Sequence, residues 1–147
     1  LVHETLSSSR DSSVDFDDVL DNLVSHALEL SPRMGELHID RTGSIGSLEP
    51  RIATPLALVV TELIHNALEH GLAEEGSALG IHATLNGREL AVTISDDGVG
   101  FPEGFDIATS PNLGLQIVRT LTENELRGEL QLITDDQQTR AILTFPI

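Results

Sequence analysis

From Asp15 onward the apolar residues Phe16, Val19, Leu20, Leu23, Val24, Ala27 and Leu28 recur at three- and four-residue steps, the spacing of one face of an amphipathic helix. Asp15 is placed to cap that helix, the acids after it suit its first turn, and Pro32 ends it. Glu36 to Arg41 alternates, with Leu37 and Ile39 on one side, and predicts a strand leading into a loop over Gly43 to Ser47. Thr54 followed by Pro55 reads as an N-cap and a first helical residue, and the helical pattern then runs to His70 before Gly71 stops it. Ala78 to Leu85 and Glu89 to Ser95 flank Asn86-Gly87, a hairpin signal because both turn residues tolerate positive φ. After a loop over Asp96 to Pro111, the pattern predicts a helix from Asn112 to about Leu126. Gly128 to Thr134 and Thr139 to Ile147 then make a last strand pair. Three helices and about five strands, joined by hairpins rather than regular βαβ alternation, predict an α+β two-layer sandwich: a mixed sheet with helices on one face.

The length of 147 residues suits one domain with a single core. Leu1 to Leu6 reads as the end of a helix and the polar stretch Ser7 to Ser13 as a linker, so the domain is expected over 14–147. Residue 1 is Leu with no signal-peptide pattern after it, and the chain reads as a piece of something longer. The apolar run Leu56 to Val60 is too short to span a bilayer, so no membrane segment is expected.

Charge and missing residue types narrow the chemistry. With 24 acids against 8 basic residues the formal charge is -16, which repels nucleic acid phosphates and anionic membranes and argues against direct nucleic acid binding. An anionic small ligand must bring a cation or find a local patch of backbone N–H groups. All eight basic residues are Arg, which removes the P-loop lysine, Schiff-base amines and the strand lysine of eukaryotic-type kinases. With no Cys there is no disulfide, thiol nucleophile or Cys-bound zinc, and a cytoplasmic location fits.

Three short stretches carry candidate chemistry. In the helix over 55–70, Glu62, Asn66, Glu69 and His70 form a polar stripe beside the apolar arc. Glu62 and Asn66, four apart, point the same way. Spacing alone also suits a solvated stripe. Asp96-Asp97-Gly98-Val99-Gly100 follows a predicted strand, where a carboxylate could accept from an exocyclic amine and glycines allow close backbone approach; an ordinary acidic turn reads the same way. Asn112-Leu113-Gly114-Leu115-Gln116-Ile117-Val118 opens a helix whose free N–H groups could face phosphates, or is a plain helix start.

Taken in order, Glu62-x-x-x-Asn66-Ala67, Asp96-x-Gly98-x-Gly100 and Leu113-Gly114-Leu115 resemble the N, first-glycine and second-glycine boxes of the GHKL ATP-binding superfamily. That superfamily includes sensor histidine kinases, gyrase-type ATPases and MutL-like proteins. The likeness spans 50–147. The stretch from Thr61 to Gly71, the residues from Leu113 to Arg119, and Val2-His3-Glu4 look most like actinobacterial cytoplasmic sensor kinases paired with RNA-binding antiterminator response regulators.

The resemblance implies an ATP-dependent protein histidine kinase domain with ATP and Mg2+ as its ligands. Asn66 matches the magnesium ligand, a hard oxygen donor, and Asp96 the carboxylate that receives the adenine amino group. Gly98 and Gly100 match glycines that let the backbone pass the nucleotide; Leu113, Gly114 and Leu115 match the lid-to-helix junction near the phosphates. Glu62 stands where ATPases of the superfamily place a general base, and kinases there often have Asn. Residues 1–13 then correspond to the end of a dimerisation and phosphoacceptor helix plus linker, the whole protein to a homodimer, and the partner to a response regulator. There are departures. Glu69 stands where many histidine kinases have Lys, leaving His70 or Arg119 as the phosphate contact, and Asn112 replaces the first glycine of the second-glycine box. Thirteen residues separate Gly100 from Gly114, with Phe101 and Phe105 the only phenylalanines, so a short lid is expected. His3, His26, His38, His65 and His82 lack the phosphoacceptor pattern, which places the acceptor upstream. Two alternatives stay open: an anti-sigma-factor serine kinase, which the pattern from Glu62 to Gly71 also resembles, and a nucleotide-gated binding module without transfer activity.

Overall fold

The computed structural model describes residues 13–72, 75–101, 105–107, 112–135 and 138–147. The expected helix end and linker before residue 13, with His3, lie outside these, as does much of the expected lid.

Helix α1 (Phe16–Leu30) starts as its pattern requires: the Asp15 side chain accepts from the N–H groups of Asp17 and Asp18. Strand β1 (Val14–Asp15) pairs antiparallel with β3 (Ser47–Leu48), and a five-stranded sheet runs in the order β2-β4-β5-β7-β6. Its strands are β2 (His38–Thr42), β4 (Ala78–Asn86), β5 (Glu89–Asp96), β6 (Glu129–Thr134) and β7 (Thr139–Pro146). Edge strand β2 pairs parallel with β4, and the other neighbours are antiparallel. The mixed sheet is therefore the expected one. Leu79, Ile81, Leu90, Val92, Ile94, Leu143 and Phe145 are buried and alternate along three inner strands, so one face of the sheet carries the core. Phe16, Leu20 and Val24 of α1, with Leu56, Val59, Val60, Leu63 and Ile64 of the second helix, complete that core.

Three boundaries differ from the sequence reading. Helix α2 spans Pro50–Asn66 with Glu49 at the N-cap, so Pro50 rather than Pro55 takes the first position. Pro55 therefore lies inside the helix, just over one turn from its start, where its missing N–H removes one intrahelical bond, and its side chain is buried. The stretch before β2 begins as a 3-10 turn over Met34–Glu36, and the strand starts only at His38. In the hairpin, Asn86 pairs with Glu89 and the two loop residues are Gly87 and Arg88, with positive φ at Gly87 alone (64°). That is the primed turn that wants glycine first.

Both later helices end in a π-turn. Helix α2 runs into one over Ala67–Gly71, and α3 (Leu113–Thr120) into one over Leu121–Glu125. Asn112 caps α3, its Oδ1 accepting from Leu115 N–H at 3.1 Å. Among the described residues no helix is long and apolar enough to cross a membrane.

Asp17 ties the loop before β3 to α1. Its carboxylate accepts from Ile45 N–H (3.0 Å), Gly46 N–H (2.9 Å), Ser44 Oγ (2.9 Å) and Arg41 (2.7 Å). Desolvation works against its charge, but these partners outweigh it and hold the carboxyl below its ordinary range. Arg41 also pairs with Asp21.

Candidate functional site

Asp96 ends β5 on the same side as Leu90, Val92 and Ile94, so the strand's alternation puts a carboxylate where a core side chain belongs; it is 5% exposed. Glycines make the room. A Cβ on Gly71 would stand 2.6 Å from Asp96 Oδ1, and one on Gly98 would run into the Gly71 carbonyl oxygen. Gly98 N–H donates to Asp96 Oδ1 at 3.0 Å, and Val99 N–H donates to the Gly71 carbonyl at 2.7 Å. Burial pushes the Asp96 carboxyl up to about 6. The neighbouring Asp97 charge adds to this and the Gly98 N–H opposes it.

Asp97 is built for something else. Its Oδ1 accepts from Ser77 N–H (2.8 Å) and Ala78 N–H (2.9 Å). The Ala78 hydrogen bond above all, then that of Ser77 and the Arg33 charge, outweigh partial desolvation and lower its carboxyl. Arg33 donates to the carbonyls of Leu72 (2.8 Å), Glu75 (3.3 Å) and Gly76 (2.8 Å), holding the segment that follows the π-turn.

Above Asp96 opens a cavity of about 320 Å³. Asn66, His70, Asp96, Gly100 and Leu115, drawn from all three motifs, line it. Asn66 and His70, four apart across the junction of α2 with its π-turn, share a wall. Gly98 backs the wall through Gly71, and a Cβ on Gly100 would strike Thr134. Leu113 is exposed and off the wall, and so is the half-buried Glu62, whose carboxylate rests against Gly114 instead. Glu69 pairs with His65 at 3.0 Å and lines a separate groove of about 340 Å³, and Arg119 pairs with Glu123 beside a further cavity of about 230 Å³. Of the two suggested replacements for the missing lysine, His70 is therefore at the cavity and Arg119 is not.

Sequence reasoning missed the opposite wall. Thr139, Ala141 and Leu132 reach it from the last strand pair, and Phe101 and Phe105, stacked at 4.8 Å with 13° between their planes, close one side. Leu132 and Ala141 alternate as a helix-facing register would, but the pattern could not show that β7 lies next to Asp96: Thr139 pairs with it directly.

The family described as histidine kinase-, DNA gyrase B- and HSP90-like ATPase matches residues 51–147. The chain belongs to this family. As an ATPase-family domain it is similar to sensor histidine kinase PdtaS of Mycobacterium tuberculosis, 40% identical over the whole chain, and spans 30% of that protein's length. Its fold matches the histidine kinase domain of the EL346 blue-light activated histidine kinase from Erythrobacter litoralis with TM-score 0.77 and 27% identity, over 86% of this chain and 58% of that one. The anti-sigma F factor of Clostridium kluyveri is 30% identical over 46% of this chain and 48% of its own.

Proposed function

We propose that the chain is the catalytic ATP-binding domain of a cytoplasmic sensor histidine kinase. It passes the γ-phosphoryl of MgATP to a histidine on a helical hairpin N-terminal to it, in a homodimer, for relay to a response regulator. The observation that carries the reading is the buried Asp96 carboxylate facing a cavity that three motifs build together. Its Gly98 partner occupies one oxygen, leaving the other as an acceptor for the amino group of adenine. Gly71, on the wall, keeps a methyl off this carboxylate, and Gly98 lets the backbone pack behind Gly71.

Asn66 supports magnesium. It lines the cavity and carries an amide oxygen, a hard donor of the kind that ion takes. Its buried Nδ2, without an acceptor among the described residues, is a donor left for a phosphate oxygen. Mg2+ is held by one or two side chains together with substrate phosphates, so a single amide oxygen can serve as the protein's ligand. Mg2+ bound there would neutralise the phosphate oxygens in a chain of charge -16, and His70 is the one basic side chain on the wall among the described residues.

In transfer, the imidazole lone pair forms the N–P bond as the bond from Pγ to the bridging oxygen breaks, and ADP leaves with that electron pair. Glu62, at the rim beside the wall, orients the acceptor imidazole and takes its proton. The test supplies MgATP to the domain joined to its native upstream hairpin. An acid-labile, base-stable label on that hairpin is expected. Acid-stable label on a serine of an anti-sigma antagonist would favour the serine kinase, and tight MgATP binding with no label on any acceptor would leave a nucleotide-gated module.

A further inference from the structure

Gly114 is the second residue of α3 and its φ lies outside the positive region, so the backbone there is open to any residue. Helices disfavour glycine relative to alanine. Another reason must keep it, and the surroundings supply one. A Cβ built on Gly114 would collide with Glu62 Oε2, lie 2.9 Å from Glu62 Cδ and press the capping Asn112 Oδ1 at 3.2 Å. Glu62 itself has no ion pair or hydrogen bond among the described residues. Contact with Gly114 at the start of α3 is what defines its carboxylate's place.

We propose that Gly114 is the positioning residue for Glu62: lacking a Cβ, it lets α3 close on α2 until the carboxylate is held at the rim of the cavity. The proposal rests on the transfer role given to Glu62 above. Because the colliding atoms are the far end of a flexible side chain, Gly114→Ala moves the carboxylate and leaves the fold intact.

Thermal melts of this chain test the contact without any assumption about activity. In a Glu62→Ala background, Gly114→Ala should raise Tm by about 2–4 °C, the value of the propensity gain. With Glu62 present it should give no rise. An equal rise in both backgrounds overturns the proposal. In the full-length protein, Gly114→Ala should lower the autophosphorylation rate at saturating ATP at least about tenfold. It should cost several-fold less in a Glu62→Asp background, where the carboxylate is drawn back by one methylene. A transfer rate that Gly114→Ala leaves unchanged, with the melts showing coupling, overturns the positioning role. A wild-type protein that transfers nothing sinks the kinase reading, while the melts still decide the contact.

Discussion

Asp96→Asn should make the protein more stable while weakening its hold on nucleotide. The folded state raises this carboxyl from its ordinary 3.8 to about 6, so the folded form binds the proton more tightly than the unfolded form. Stability from this group is full below the unfolded value and is lost as pH rises through about 6. At pH 7.5 the ionised carboxylate then costs the fold about 3 kcal/mol, falling to about half of that at pH 5. An amide in its place pays none of this, less whatever its new N–H donors lose, so the variant should gain about 1–3 kcal/mol at pH 7.5 and nothing below pH 3.8. Urea melts of wild type and variant across pH 5 to 8 measure the gap. Calorimetry with MgATP on the same samples should show the variant weaker by about 1.5–3 kcal/mol. Wild-type binding should tighten from pH 5 to 7 with proton release, because an amino donor favours the ionised form. A stability gap that is absent at pH 7.5, or that does not narrow toward pH 5, would refute the account of this carboxylate.

Asp97→Asn should act with the opposite sign: its lowered carboxyl stabilises above its ordinary 3.8 and that stability fades as pH falls through the lower folded value, so the variant should lose stability at neutral pH in the same melts. Asp17→Ala should cost about 1–3 kcal/mol in urea unfolding, since it frees the N–H groups of Ile45 and Gly46 together with Arg41. Arg33→Ala should speed amide exchange over 75–77 and weaken nucleotide binding. Arg33→Lys should rescue little, because one ammonium cannot reach three carbonyls as the planar fork does. Asn66→Ala should abolish the EDTA-sensitive part of ATP affinity in calorimetry and leave Tm within a few degrees, because its buried Nδ2 makes no internal bond to lose.

Much of this was legible in the residues because local rules decided it. Asp15 as a cap, the apolar arc from Leu56 to Ile64 and the alternation of the last strands each follow from a period and a capping group. The helix start slipped because Thr54-Pro55 and Glu49-Pro50 carry similar signals, and burial of Ile52 and Ala53 made the longer helix win. The π-turn over Ala67–Gly71 has no sequence period of its own; within it Glu69 lines only the separate groove, while His70 stands between that groove and the cavity and lines both. Asp96 and Asp97 could not be told apart by spacing; the strand's alternation separates them, one facing the core and the other the N–H groups of Ser77 and Ala78. The contribution of Thr139 and Ala141 was beyond reach because it depends on strand order, a long-range choice that no local window contains.

That strand order governs when the domain becomes competent during synthesis. β7 comes last among the strands along the chain but lies inside the sheet, between β5 and β6. A chain still growing before residue 139 leaves β5 as a bare edge with Leu90, Val92 and Ile94 lacking their partners Phe145, Leu143 and Ala141. Such an edge invites pairing with other chains. Nucleotide cannot rescue that stage, because the wall formed by Thr139 and Ala141 does not yet exist and a ligand stabilises only the state that binds it. Until β7 slots in between β5 and β6, the mutual repulsion of chains of charge -16 opposes such pairing.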